Sequence, residues 1–155
     1  MLIYLILALV VIVLDQLVKY QIVAHLALGE SVTVIPHVLS FTYLQNTGAA
    51  WSLFEGKQTF FTIITIIAVV VVSYLLYRNR HGHWLFSLGL ALILAGAIGN
   101  FIDRIRLGFV VDMFQTEFIS FPIFNVADMA LSIGVILIFI YTILEDRLKG
   151  THYAK

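Results

Sequence analysis

Carboxylates and amides are concentrated in one stretch of a largely apolar chain, between residues 96 and 128. Asp112 lies inside the apolar run 109–114, and Asp128 lies at the start of another strongly apolar segment. Ionisable groups at the edge of hydrocarbon are costly, and they are therefore rare unless they have a function. Two neighbouring carboxyls cannot both ionise easily, so they share a proton and offer one acid and one base. We predict that Asp112 and Asp128 form a catalytic pair that activates a water molecule against an amide carbonyl.

Three other polar side chains are spaced so that they can support this pair. Asn100 and Arg104 are four residues apart and share a face of one helix. Asn125 fits the N-cap of the helix that Asp128 enters. Simpler interpretations exist: the helix dipole favours a carboxylate at Asp128, and Arg104 can pair with Asp15, Asp103 or a headgroup phosphate. Nothing local explains a carboxylate within the apolar run, however, and this favours a functional site.

Other catalytic chemistries have little support in the sequence. The chain contains no cysteine, which excludes disulfides, thiolate metal sites and cysteine nucleophiles. His81 and His83 have no carboxylate beside them, and no serine stands next to a lysine or histidine in a nucleophile motif. We therefore predict neither a metal nor another cofactor. The net charge of zero argues against nucleic acid as a partner.

The composition is that of a membrane protein with one domain, residues 1–155. Hydrophobic residues make up 61% of the chain and charged residues 12%, whereas about 25% of a typical soluble domain is charged. A helical span needs roughly 20 apolar residues. Four segments meet this need: residues 2–24, 59–77, 84–104 and 127–144. The predicted fold class is mainly α, a four-transmembrane-helix bundle with a small extracytoplasmic β-layer.

The first span must extend beyond its unbroken apolar run. Residues 2–14 cover only about 20 Å as a helix, so the helix continues through Asp15 and Lys19, which can pair as i,i+4 neighbours. A cleaved signal peptide is the alternative. No lysine or arginine precedes the apolar run and a charged pair follows it, which favours a retained span.

The third span has a face of small residues. Ala91, Ala95 and Gly99 recur at four-residue spacing, a pattern that lets a neighbouring helix approach closely. Asp103 continues this stripe, so its carboxylate is expected to face the bundle and not lipid.

The β-layer is predicted in residues 25–57, between the first two spans. Two strands and a turn are expected there: residues 31–35, 38–44 and 46–48. Trp51 and Phe54 are expected at headgroup level. The segment that carries Asp112 is expected to form a short loop.

Basic residues set the expected orientation. Arg78 and Arg80 lie between the second and third spans, and Arg147 and Lys149 lie in the tail. Under the positive-inside rule these segments face the cytoplasm. Both termini are then cytoplasmic, and the candidate pair lies near the outer membrane face.

Five sequence blocks occur in one order along the chain. They are Asp15 with Lys19, NTGAA at 46–50, GNFIDR at 99–104, VVDM at 110–113 and FNVAD at 124–128. Together they resemble the lipoprotein signal peptidases (signal peptidase II) of bacteria, and the resemblance covers nearly the whole chain.

The resemblance implies an aspartic endopeptidase of the bacterial cytoplasmic membrane. Such an enzyme removes signal peptides from prolipoproteins and cuts before a cysteine that carries diacylglycerol. The two aspartates of the family map onto Asp112 and Asp128. Supporting or substrate-binding roles fall to Asp15, Lys19, Asn46, Gly48, Asn100, Arg104 and Asn125. The expected partners are diacylglyceryl-modified prolipoproteins and membrane lipids, and a monomer is expected.

Two other classes of function remain open at this point. A small proton-coupled transporter or channel subunit also uses carboxylates within the membrane. A transporter should place them near the midplane beside a broken helix, whereas here they lie at helix ends, which favours an enzyme. A structural assembly factor would show no activity when purified.

Overall fold

Four long helices and a three-stranded sheet make up residues 1–48 and 58–150, the part of the chain that the computed structural model describes. The helices are α1 (Leu2–His25), α2 (Gln58–Arg78), α3 (Trp84–Leu107) and α4 (Val126–Gly150), and the strands are β1 (Ser31–Ile35), β2 (Leu39–Asn46) and β3 (Val110–Thr116). This architecture confirms the predicted fold class. Trp51 and Phe54, expected at headgroup level, lie outside the described residues.

All four helices are long and apolar enough to cross a bilayer. In α1, α2 and α4 few of the side chains are buried inside the protein, as expected of helices that face lipid. By contrast, α3 is buried along most of its length. It is the central helix of the bundle.

Glycines let α3 and α4 approach with their backbones in contact. A methyl group added at Gly89 would lie 2.8 Å from the carbonyl oxygen of Gly134, and one at Gly96 would overlap the carbonyl oxygen of Ala127. Such small-residue contacts are typical of helix pairs in membranes. They bring the polar end of α3 to the first turn of α4.

The sheet has the strand order β1-β2-β3, and both strand pairs are antiparallel. Asp112 lies on β3 opposite Leu44 of β2, next to an irregularity in the pairing between Phe41 and Leu44. The prediction of a loop around Asp112 is therefore wrong. A short continuous apolar run is also typical of a buried strand, and the partner that stabilises this one comes from a distant part of the chain.

One face of the sheet rests on α1. Val111 and Met113 of β3 pack with Tyr43 of β2 against Ile22 of α1, and all four are buried. Successive side chains of a strand point to opposite faces. Asp112 therefore points away from α1.

Candidate active site

Asp112 and Asp128 line the same cavity, which has a volume of about 780 Å³. Its polar wall also contains Asn46, Asn100 and Arg104. The remaining wall is largely apolar and comes from α2, α3, α4 and the loop before α4: Ile64, Ala68, Ala97, Phe121, Phe124, Met129 and Ile133. The structure thus brings together side chains from four of the five sequence blocks. A cavity with an apolar wall and a few converging polar groups is typical of a binding or catalytic site.

Asp112 is held by two asparagine amides. Its side chain is 1% exposed. Its Oδ2 accepts a hydrogen bond from Asn46 Nδ2 at 2.9 Å, and its Oδ1 accepts one from Asn125 Nδ2 at 2.6 Å. Burial first, and then the nearby carboxylate of Asp128, raise the pKa of Asp112 to about 7 in spite of these hydrogen bonds. This carboxyl can hold a proton near neutral pH.

Asp128 lies in the first turn of α4 and forms a capping box with Asn125. The backbone N–H of Asp128 donates to Asn125 Oδ1 at 2.9 Å, and the backbone N–H of Asn125 donates to Asp128 Oδ2 at 3.2 Å. Asn100 Nδ2 donates to the other oxygen, Oδ1, at 2.8 Å. Asp128 is therefore both a first-turn carboxylate, as the simpler interpretation had it, and part of the cavity wall.

Asn125 connects the two carboxyls. Its Oδ1 is taken by the start of α4, so its Nδ2 faces Asp112 Oδ1 and also donates to Asn100 Oδ1 at 3.1 Å. The side chain is fully buried. The helix cap therefore also fixes the direction of the amide that lies between the members of the pair.

Arg104 lines the cavity and does not turn towards Asp15 or Asp103. Its guanidinium donates to the carbonyl oxygen of Gly48 at 3.4 Å and lies 5.0 Å from the centre of the Phe61 ring. Its Nε–H is buried and has no hydrogen-bond partner within the described residues.

Asp15, Lys19 and Asp103 form a buried cluster next to the cavity. Lys19 Nζ lies 2.9 Å from Asp15 Oδ2 and 2.9 Å from Asp103 Oδ2. Asp15 Oδ1 accepts the backbone N–H of Ala127 at 2.9 Å, and Asp103 Oδ2 accepts that of Val111 at 3.1 Å. Each of those N–H groups belongs to the residue directly before one of the two cavity carboxylates. The cluster therefore fixes the backbone on which the pair is carried.

Two residues that hold this arrangement together, Gln16 and Asp103, were not among the site residues predicted from the sequence. Gln16 Nε2 donates to Asp103 Oδ1 at 2.8 Å and to the carbonyl oxygen of Gly99 at 3.2 Å. Asp103 itself joins α3 to β3. Gln16 and Asp103 could have been noticed in the sequence because each is a polar residue within an apolar helix. The partners of Gln16 could not, because they lie more than eighty positions away along the chain.

The chain is similar to known peptidases over nearly its whole length. Residues 7–144 match the family model described as signal peptidase (SPase) II. A lipoprotein signal peptidase of Latilactobacillus sakei subsp. sakei (strain 23K) is 57% identical over 152 residues, which cover 98% of this chain and 99% of the relative. A lipoprotein signal peptidase of Enterococcus faecalis (strain ATCC 700802 / V583) is 55% identical over 145 residues, which cover 94% of this chain and 90% of the relative.

Two solved structures of bacterial membrane enzymes, both obtained by the in meso method, have the same fold. One, at 2.3 Å resolution, superposes with a TM-score of 0.84 at 42% identity and covers 98% of this chain and 91% of that chain. The other, at 1.9 Å, gives a TM-score of 0.83 at 43% identity and covers 90% and 91%. The family match includes every residue of the cavity and of the buried cluster beside it. The chain belongs to the signal peptidase II family.

Proposed function

We propose that this protein is a membrane-embedded aspartic endopeptidase that removes the signal peptide from prolipoproteins, cutting before a diacylglyceryl-modified cysteine. The observation that carries the proposal is a pair of carboxyls, the buried Asp112 and the half-buried Asp128, which face one cavity and are connected by asparagine amides. Membership of the signal peptidase II family and the names of the relatives, lipoprotein signal peptidases, support the substrate class.

The surroundings of the two carboxyls support different roles for them. Asp112 is the member with a pKa near 7, so it supplies the proton. Asp128 accepts a backbone N–H at the positive end of α4, where the helix dipole favours the ionised form. Asp128 is then the general base and Asp112 the general acid.

The reaction follows from these roles. Asp128 takes a proton from water as the water oxygen bonds to the scissile carbonyl carbon, and Asp112 gives its proton to the carbonyl oxygen. The tetrahedral intermediate then collapses: Asp128 returns its proton to the leaving nitrogen, the C–N bond breaks, and Asp112 recovers a proton from the gem-diol. Both carboxyls return to their starting states, and one water is consumed for each bond cut.

The rest of the cavity suits a lipid-modified peptide. Arg104 lines the cavity, and its guanidinium offers N–H donors to a backbone carbonyl of the substrate. The wall formed by Ile64, Ala68 and Ile133 is apolar and belongs to helices that face lipid, so it offers a surface for apolar side chains or an acyl chain.

A proton-coupled transporter, the alternative from another class, is not supported by the relatives or by the placement of the carboxyls. Asp112 lies on a strand outside the four helices, and Asp128 lies in the first turn of α4. Incubation of the purified protein with a lipidated prolipoprotein separates the two functions, because a peptidase releases the signal peptide without any second protein. A purified wild-type protein that leaves this substrate intact would contradict the proposal.

The orientation of the chain in the membrane is tested with fused reporters. We propose that both termini are cytoplasmic and that the sheet and the cavity lie near the outer face of the bacterial cytoplasmic membrane. A reporter placed after Lys155 or at Gly82 should report the cytoplasm, because the adjoining segments carry Arg78, Arg80 and the basic tail. A reporter at Gly29, directly before β1, should report the outside. A cytoplasmic signal from Gly29 would invert the orientation.

The pH dependence of cleavage is expected to show a falling limb near neutrality. Asp112 keeps its proton below its pKa of about 7 and loses it above, so kcat/KM should fall about tenfold per pH unit on the alkaline side. The measurement is kcat/KM between pH 5 and 9 with a lipidated prolipoprotein, under conditions where wild-type folding does not change. The variant Glu117→Gln removes an exposed carboxylate that bonds Ser40, and its kcat/KM should fall over the same pH range as that of the wild type. Constant activity up to pH 9 would rule out Asp112 as the acid.

A further inference from the structure

The amides of Asn46 and Asn125 have a direction that the surrounding donors impose. Asn46 Oδ1 accepts the backbone N–H of Gly48 at 2.9 Å, and Asn125 Oδ1 accepts that of Asp128. A backbone N–H cannot accept a hydrogen bond, so each amide must keep its oxygen there and turn its NH₂ group to Asp112. The two donors to Asp112 are therefore oriented by neutral groups.

The amide of Asn100 is oriented by a charged group instead. Its Oδ1 accepts from Lys19 Nζ at 3.0 Å and also from Asn125 Nδ2. An ammonium has three N–H donors and no acceptor, so the reversed amide would place NH₂ against NH₃⁺. The Nδ2 of Asn100 is thereby left to donate to Asp128 Oδ1 at 2.8 Å.

Lys19 does more than neutralise the carboxylates of Asp15 and Asp103. Its Nζ has three partners, Asp15, Asp103 and Asn100, one for each N–H. The side chain is 3% exposed. The ion pairs with the two carboxylates use two of the three donors, and the third bond leads through Asn100 to Asp128.

We infer that Lys19 is a positioning residue of the reaction: acting through Asn100, it fixes the donor that faces Asp128 and holds this carboxyl as the ionised member of the pair. The inference rests on the proposed function. Hydrogen bonds in a chain polarise one another in a medium of low dielectric constant, so a donor backed by an ammonium favours an anion more than one backed by a neutral amide does. This difference assigns the base to Asp128 and leaves the proton on Asp112.

We call the chain of hydrogen bonds from Lys19 through Asn100 to Asp128 the relay. Within residues 1–48 and 58–150, the charged groups around it come from α1, α3, β3 and α4. They are Asp15 and Lys19 of α1, Asp103 and Arg104 of α3, Asp112 of β3 and Asp128 of α4. The residues by which α2 lines the cavity, Ile64, Thr65 and Ala68, carry no charge. A test of the relay must therefore separate the hydrogen bond from Lys19 to Asn100 from the general effect of removing one of these charges.

The test compares Lys19→Met with the double variant Lys19→Met/Asp103→Asn. The double variant removes one cation and one anion together, so the formal charge of the cluster is unchanged and the hydrogen bond to Asn100 is lost. The acid limb is the fall of kcat/KM at low pH, where the proposed base, Asp128, takes up a proton. In both variants this limb should move to higher pH by about one unit for a lipidated prolipoprotein, the lower end of the shift that a charge contact gives to a carboxyl. Activity well below this limb should then fall about tenfold more than activity at the optimum.

The matched control is Leu90→Ala, which removes a buried side chain in the part of α3 that packs on Leu76 and Leu94. This variant should lower thermal stability and leave the acid limb of kcat/KM at the wild-type pH. A uniform loss of activity in the double variant, with an unmoved limb, would show that Lys19 is only structural and would overturn the inference. If Lys19→Met does not fold, the double variant decides alone.

A second readout does not depend on cleavage. Infrared titration of the unliganded protein follows the carboxyl C=O bands, and Asp112→Asn and Asp128→Asn assign them. In the double variant the Asp128 band should persist to higher pH than in the wild type, and an unchanged titration would overturn the inference. If the Asp128 band of the double variant persists to higher pH as expected but the wild-type protein cuts no prolipoprotein, the proposed function is contradicted and the relay is not.

Discussion

Asp112→Asn and Asp128→Asn are each expected to lower kcat by about 10³-fold or more, while the protein still folds and inserts. General acid–base catalysis by one group contributes roughly 10²–10⁴-fold, and here each carboxyl acts in both the addition of water and the collapse of the intermediate. Asparagine has nearly the same shape but can neither take nor give the proton. The measurement is the loss of the signal peptide from a lipidated prolipoprotein, followed by gel shift, with folding checked by thermal unfolding in detergent.

The control for this experiment is a carboxyl-to-amide change in the segment between α3 and α4 that also carries Asp112. Glu117→Gln alters a side chain that bonds Ser40 and does not line the cavity, and it should keep nearly wild-type turnover. Addition of EDTA should leave the wild-type rate unchanged, because the proposed reaction uses only the two carboxyls to move protons. Near-normal turnover in either aspartate variant, or inhibition by EDTA, would contradict the carboxyl-pair mechanism.

A prolipoprotein whose cysteine is unmodified should be cut at least about 100-fold more slowly than its diacylglyceryl form, a difference of about 2.7 kcal/mol. Each methylene removed from water contributes about 0.8 kcal/mol, but the acyl chains are already in the bilayer before binding. Their main effect is therefore to fix the depth of the scissile bond beside Asp112 and Asp128, and positioning of this kind can lower a barrier by several kcal/mol. The apolar wall that α2 and α4 give to the cavity suits such an anchored substrate.

The lipid experiment needs one substrate prepared with and without prior lipid transfer. Initial rates are compared at the same enzyme and detergent concentrations, and Asp112→Asn serves as the blank. Equal rates for the two forms would leave an aspartic peptidase in place and remove the lipid from its recognition.

The helices were predictable because the signal for a membrane span is local. A run of about 20 apolar residues is visible without knowledge of its neighbours. The third strand was not predictable in this way. Residues Val110–Thr116 lack the alternation of a half-exposed strand, and β3 exists because it pairs with β2 and packs on α1. Neither partner can be identified from the strand's own residues.

The polar residues of the candidate site were visible, but their connections were not. The charges and amides are conspicuous in an apolar chain, and this was enough to single out Asp112, Asp128 and Asn125. The sequence could not show that Asp15 holds the backbone before Asp128, or that Lys19 reaches Asn100. Those contacts join α1 to α3 and α4 and depend on the packing of the whole bundle.

The backbone contact between α3 and α4 makes the enzyme fragile in an unexpected place. Gly89 lies eleven positions before Asn100 on the same helix, about 16 Å away at 1.5 Å per residue, and a methyl group there has no room. A substitution that pushes the helices apart at Gly89 also displaces Asn100, because both residues belong to α3. The amide of Asn100 is the group that donates to Asp128. The residues whose substitution lowers activity therefore extend along α3 to its other end, far from any group that takes part in the chemistry.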